Sequence, residues 1–289
     1  MSTNASQERR ARDFLALHHA PQGFVLPNAW DAASTVLLVE AGFAAVATTS
    51  AGIAFSLAKQ DYFVGDDPGV TQDEMFTRLG QIVSATSAPV SADLEDGWGD
   101  GPDAAVETVE RAIRIGLAGG NIEDRPHGED RLLGEDEAVA RIAAAAATIK
   151  AGGRPFVLNA RTDMLLAGQD LGACIRRANR FLEAGADCVY TPGAADMPTI
   201  QRLAREIEGP LNIVVGLGSA PQDIPAILAA GVKRITVGGS IARATLAFVR
   251  RCAQELRERS SIAFAEEQMS QGELNTLFAR HAAQSARVN

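Results

Sequence analysis

The stretch Ala184-Gly185-Ala186-Asp187-Cys188-Val189-Tyr190 carries a helix end, a stop and a strand start in immediate succession. Glycine after a helix supplies the left-handed conformation that ends it at little steric cost. The apolar run that follows suits a strand buried on both faces. The same phrase recurs as Glu40-Ala41-Gly42-Phe43-Ala44-Ala45-Val46, as Ile115-Gly116-Leu117-Ala118-Gly119-Gly120-Asn121-Ile122 and as Ala230-Gly231-Val232-Lys233-Arg234-Ile235-Thr236-Val237. Each copy is the joint at which the helix of one βα unit hands over to the strand of the next.

Working outward from these joints gives eight strand candidates, at residues 24–27, 44–48, 89–93, 120–122, 155–159, 188–191, 211–215 and 234–237. Helical patterns separate them, for example at 105–115, 135–149, 173–184 and 199–207, and a long helix follows the last strand over about 241–257. Eight strands joined by helical crossovers predict an α/β fold, the (β/α)8 TIM barrel, in preference to a doubly wound sheet. The whole chain, 1–289, reads as a single domain: an N-terminal helix (1–22), the barrel (23–258) and a helical tail (259–289). Phe14, Leu15 and Leu17 form the apolar side of the first helix. The tail carries Phe264, Met269, Leu274, Leu277 and Phe278, which must be buried on the barrel or on a neighbouring subunit.

Composition narrows the partners. Among 289 residues, 36 Asp and Glu outweigh 27 Lys and Arg, a net charge of −9 that argues against nucleic acid. With 46% hydrophobic residues the chain can build a core, yet no apolar run approaches the length of a membrane span. The first ten residues lack the apolar segment of a secretory signal. Three scattered cysteines, Cys174, Cys188 and Cys252, form neither a disulfide framework nor a zinc motif. A cytoplasmic protein with no membrane or nucleic-acid partner is expected.

In such a barrel the chemistry sits at the C-terminal ends of the strands. Asp93 and Glu95, two apart, are expected to share one face there, with Glu123 opposite them from the next strand. Three converging carboxylates repel unless a cation neutralises them, and oxygen-only ligands select Mg2+, with Mn2+ as its substitute. Arg161 suits a substrate carboxylate, or else a salt bridge to Glu123 or Asp163. The turn Thr49-Ser50-Ala51-Gly52 offers N–H groups and hydroxyls to anionic oxygens, although small residues also serve ordinary turns. Asp96, Asp124 and Arg125 read equally as mouth residues or as ion-paired loop residues. His127 suits a proton donor at neutral pH, or is simply a loop residue.

These residues fall into five phrases: Pro27-Asn28-Ala29-Trp30-Asp31-Ala32-Ala33-Ser34, Thr48-Thr49-Ser50-Ala51-Gly52-Ile53-Ala54, Ser91-Ala92-Asp93-Leu94-Glu95-Asp96-Gly97-Trp98-Gly99, Ile122-Glu123-Asp124 and Asn159-Ala160-Arg161-Thr162-Asp163. In this order, over about residues 24–250, they resemble the isocitrate lyase and phosphoenolpyruvate mutase superfamily. The resemblance implies a barrel whose last helix swaps between subunits, in dimers or tetramers, and Mg2+ binding an α-oxo acid or 2-hydroxy acid. It implies metal ligation by Asp93, Glu95 and Glu123, with Asp93 the most direct. It implies substrate binding by Thr49, Ser50, Ala51, Gly52, Asp93, Asn159 and Arg161, and catalytic roles for Arg161 and Asp61; His127, as the proton donor its own chemistry suggests, completes the expected catalytic set.

Departures are as informative. The lyases carry a catalytic cysteine in a loop that here reads Arg125-Pro126-His127-Gly128-Glu129-Asp130-Arg131-Leu132-Leu133-Gly134, and a strand-six glutamate where this chain has Gly193. The Lys- and Asn-containing gating loop of the phosphonate enzymes is also absent. The expectation is a Mg2+-dependent carbon–carbon lyase resembling an oxaloacetate decarboxylase. The alternatives are an oxo-acid-binding protein with little turnover and an enzyme of phosphonate P–C bonds. A third reading takes Gly216-Leu217-Gly218-Ser219 and Gly238-Gly239-Ser240 as phosphate-binding turns.

Overall fold

A computed structural model describes residues 3–61, 69–218 and 222–288. Helix α1 (Thr3–His19) leads into β1 (Phe24–Leu26) and β2 (Asn28–Ala29). Next come α2 (Ala32–Glu40), β3 (Val46–Thr48), α3 (Ser50–Ser56), α4 (Gln72–Ser84), β4 (Val90–Asp93), α5 (Gly101–Ile115) and β5 (Gly119–Glu123). The second half runs α6 (Glu135–Gly152), β6 (Val157–Arg161), α7 (Leu171–Glu183), β7 (Cys188–Tyr190), α8 (Met197–Glu206), β8 (Leu211–Val214), α9 (Ile224–Ala229) and β9 (Arg234–Thr236). Helix α10 (Ser240–Arg259), a 3-10 turn (Ala263–Glu267) and α11 (Gln271–Val288) follow.

All pairings are parallel, in the order β1-β9-β8-β7-β6-β5-β4-β3-β2. Eight strands were expected and nine segments are found among the described residues, because Pro27 divides the first into β1, paired to β9, and β2, paired to β3. Proline has no N–H for a ladder, so the barrel seam falls there. Asn28 stitches it: its Oδ1 accepts from the N–H groups of Val237 (2.9 Å) and Gly238 (3.0 Å), and its Nδ2 donates to the Thr48 carbonyl. The four joint glycines, Gly42, Gly116, Gly185 and Gly231, have φ of +93°, +97°, +105° and +102°, the left-handed stops the sequence requires. Gly119 is needed for another reason, since a Cβ there would stand 2.7 Å from the Val157 carbonyl oxygen.

Side-chain caps set where several helices begin. Asp31 and Ser34 form a capping box on α2, Thr71 and Glu74 one on α4, and Asp170, Asp196 and Asp223 cap α7, α8 and α9. Each is worth about 1 kcal/mol. The main core lies between strands and outer helices, and a second cluster around Phe14, Leu26, Ala47 and Val157 fills the barrel floor. Helix α1 plugs that floor with Phe14, fully buried, while Leu15 and Leu17 are half-buried beside it.

The C-terminal elements divide. Only Ala242 of α10 is buried, and Leu246, Phe248, Val249 and Leu256 are exposed. Helix α11 instead returns to its own barrel: Leu277 and His281 are buried, and Arg280 Nη2 lies 3.0 Å from Glu40 Oε1 on α2. Among the described residues no helix is long and apolar enough to cross a membrane.

Candidate active site

Register assembles the mouth. Asp93 pairs with Asn121 across β4 and β5, Glu123 with Arg161 across β5 and β6, and Arg161 with Tyr190 across β6 and β7. The strands expected at 120–122 and 155–159 both extend further, since the β5–β6 ladder runs on to include Glu123 and Arg161. A cross-strand ion pair holds that end, with Arg161 Nη1 2.7 Å from Glu123 Oε2. Asp93 is the best anchored carboxylate. Its Oδ2 accepts from Ser50 N (3.2 Å) and Ser50 Oγ (3.0 Å), and its Oδ1 from Asn121 Nδ2 (2.8 Å).

Glu95 reaches the mouth by a different route from the expected strand alternation. It lies beyond β4 with φ +48°, a left-handed turn, and its Oε2 meets His127 Nδ1 at 2.5 Å. The loop holding His127 is pinned to the mouth by its own N–H, which donates to Asp96 Oδ2 at 3.1 Å. Ser50, Asp61, Glu95 and Glu123 from the barrel and residues 125–129 from this loop line one cavity.

The electrostatics are those of crowded acid. Burial, then Asp93 and Glu95, push Asp61 up to about 7. Burial raises Glu95 too, and raises Glu123 well above the carboxylate range with Asp163, Asp93 and Glu95 adding to it. His127 moves upward because its hydrogen bond to Glu95 favours the imidazolium against the opposing cost of burial.

The expected site residues separate into groups. Asp61, Ser50, Glu95, Glu123 and His127 share the cavity, and Asp93 binds Ser50 beneath it. Thr49, Ser50, Ala51 and Gly52 form a helix start rather than a free turn: Thr49 caps α3 by accepting from Gly52 N. Asn159 lies fully buried inside the barrel, two residues below Arg161 on β6 and outside the lining of the mouth cavity. The alternative partner of Arg161 is present, since Asp163 holds its Nε at 2.7 Å and its Nη2 at 3.0 Å. Asp124 is structural: it accepts from Thr162 Oγ1, Asp163 N and Arg177 Nη1.

The two glycine turns also meet each other. Ser240 Oγ and Arg243 Nη2 donate to the Gly216 carbonyl, and Gly216 N donates to Gln222. Ser219 of that expected phosphate turn lies outside the described residues. Sequence reading missed three contributors: Asn121, Thr48, whose Oγ1 accepts from Asp93 N, and Tyr190, whose ring lies 5.4 Å from the Arg161 guanidinium. Strand parity from Glu123 was the available signal for Asn121, whereas Tyr190 lies on the neighbouring strand and meets Arg161 only through the β6–β7 register.

Among the described residues no three Asp, Glu, His or Cys side chains converge closely enough to hold one ion directly. Of the three expected metal ligands, Glu95 faces His127 and Glu123 faces Arg161, while Asp93 faces Ser50 and Asn121. The donor chemistry still fits a hard cation. Mg2+ keeps several waters and needs only one or two carboxylates, and buried carboxylates with raised proton affinity signal unmet positive charge.

The fold is that of a (β/α)8-barrel enzyme, with an acidic cavity at the C-terminal ends of its strands. The phosphoenolpyruvate phosphomutase family matches residues 14–257, and the chain belongs to it, within the isocitrate lyase and phosphoenolpyruvate mutase superfamily of lyases and mutases. It is 30% identical to the 2-methylisocitrate lyase of Escherichia coli K12, over 64% of this chain and 63% of that one. Among solved structures it resembles one from Burkholderia cenocepacia J2315, provisionally described as a lyase/mutase (38% identity, TM-score 0.88, covering 95% and 97% of the two chains). It also resembles 2,3-dimethylmalate lyase, at 25% identity and a TM-score of 0.83 over 96% and 97%.

Proposed function

We propose that the protein is a Mg2+-dependent carbon–carbon lyase of α-oxocarboxylates, with oxaloacetate decarboxylation as its chemistry. The observation that carries this reading is the His127–Glu95 pair, closed over a mouth of carboxylates by the loop in which the superfamily's lyases hold a cysteine. Asp93 is the residue to hold Mg2+ directly, with Glu95, Glu123 and Asp61 acting through water. Bound Mg2+ supplies a Lewis acid that stabilises enolate charge.

The residues of the chain supply the rest. Arg161 and the Ser50-Ala51 turn at the start of α3 grip the C1 carboxylate, which requires Arg161 to exchange part of its contact with Glu123, and Ser50 N its contact with Asp93, for the substrate. The C3–C4 bond then breaks, its electron pair passing into the oxo acid as CO2 leaves, and no base is needed to start. His127, charged opposite Glu95, delivers the proton that converts the enolate at C3 to pyruvate. A departing fragment that needs proton transfer from a thiol has no such group here, so 2-methylisocitrate is a poor substrate.

Purified protein assayed on oxaloacetate and 2-methylisocitrate, with Mg2+ and with chelator, tests this. Chelator-sensitive pyruvate release from oxaloacetate supports it, and efficient 2-methylisocitrate cleavage overturns it. A second reading, an oxo-acid-binding protein, is favoured by the loop at 125–134, which carries neither the cysteine of the lyases nor a lysine. Tight 2-oxoglutarate binding without turnover of either substrate selects it. We further propose that the protein works in the cytoplasm as a tetramer or dimer, built on the uncovered apolar residues of α10.

A further inference from the structure

Arg234 is among the largest fully buried side chains of the molecule, and it lies inside the barrel. Its strand position pairs it with Phe24 on one side and Asn212 on the other, in the layer above the Phe14 plug. Among the described residues it makes one hydrogen bond, from Nη2 to Ser91 Oγ at 3.2 Å, while Nε and Nη1 have no protein partner. No carboxylate pairs with it among those residues. Asn159 and Asn212, in the same interior, also carry buried side-chain atoms without a protein partner. A guanidinium enclosed this way stays charged and is costly to bury, so its place calls for a compensating role.

What faces it suggests that role. Ser91 stands two residues before Asp93 on the same face of β4, about 7 Å along the strand. The charged or titratable groups that feel Arg234 are Asp93, Tyr190 and Cys188 above and beside it, and His18 below. The mouth overhead holds Asp61, Asp93, Glu95 and Glu123 against Arg161 and His127.

We infer that Arg234 is a positioning residue for the mouth: its buried charge, one layer beneath Asp93, weakens cation binding there and strengthens the binding of a doubly charged oxo acid. This rests on the metal and oxo-acid reading above. A charge at that depth acts through a medium of lower effective dielectric than water, so its removal is felt as a several-fold change. The two ligands must respond in opposite directions, which a packing defect does not produce.

The test uses full-length enzyme and Arg234→Gln, with Arg234→Met as a second neutral replacement if the first fails to fold and Arg234→Lys to restore the charge. Mn2+ binding is followed by electron paramagnetic resonance, and oxalate binding at saturating Mn2+ by calorimetry. The neutral variant should bind Mn2+ about fivefold more tightly and oxalate about fivefold more weakly, with Arg234→Lys returning both toward the wild type. Shifts of both affinities in one direction, or Mn2+ and oxalate affinities within twofold of the wild type, overturn the inference while the metal reading stands. Wild-type enzyme that binds no Mn2+ overturns both.

Discussion

His127 and Asp93 carry the sharpest consequences of single side chains. If His127 gives the proton to the enolate, His127→Gln should lower kcat for oxaloacetate by about a hundredfold with KM little changed. Steady-state kinetics read this split directly, and a rise in KM alone would assign His127 to binding instead. Asp93 accepts three hydrogen bonds from Ser50 and Asn121, so Asp93→Ala leaves three buried donors without an acceptor. The expected outcome is loss of metal-dependent oxo-acid binding together with destabilisation of about 1–3 kcal/mol. Calorimetry with pyruvate checks the first effect and urea denaturation the second. At this scale Arg161 shows how neighbours decide a role, for Glu123, Asp163 and Tyr190 surround a guanidinium that strand position alone aims at a ligand.

Helix α1 is the element whose behaviour is most predictable. Its His18 is buried against Phe14 and Phe24, with Nδ1 2.9 Å from the Phe14 carbonyl oxygen. Burial first, then the charge of Arg234, hold its pKa down to about 3. Because the folded value lies below the unfolded one, the unfolded chain takes up the proton first as pH falls. The His18 contribution is therefore complete above about pH 6.5 and is lost progressively toward pH 3. Between pH 7 and pH 5 the loss is about 2 kcal/mol. Urea denaturation at the two pH values should show the wild type losing about 2 kcal/mol more than His18→Gln, because the raised carboxyls of Asp61, Glu95 and Glu123 respond alike in both proteins. Strand β5 offers a steric counterpart, since Gly119→Ala drives a methyl group against the Val157 carbonyl and Phe14, loosening the same plug. Its melting temperature should fall by several degrees, corresponding to about 1–3 kcal/mol of overpacking.

At the scale of the whole molecule, the barrel encloses its own strands but leaves α10 bare. Twenty residues with one buried position cannot be stable as an isolated arm in water, because helices draw their stability from packing an apolar face. Placing charge on that face by Leu246→Glu with Phe248→Glu should reduce a tetramer or dimer to a monomer in light scattering. An unchanged mass would move the subunit contact elsewhere. Helix α11, tied to α2 through Glu40, should remain docked in the same variant.

Much of this was present in the linear order of residues. The Ala-Gly joints, the buried strand runs and the acids at strand ends are local patterns, and local patterns follow from backbone conformation and side-chain parity alone. They sufficed for the parallel barrel, for Phe14 on the apolar side of the first helix and for the carboxylates at one end of the strands, while the reading of the loop bearing His127 against the lyase cysteine loop came from the family resemblance. Tertiary structure decided what each long side chain meets. Glu95 joins His127 because a left-handed residue after β4 redirects it, and Asn28 became the seam because Pro27 broke the first strand. Arg234 came to lie buried beneath Asp93, hydrogen-bonded to Ser91 on the far side of the barrel. Such contacts join residues far apart in sequence, and no periodicity records them, because a flexible charged side chain chooses its partner from whatever the closed barrel brings within reach.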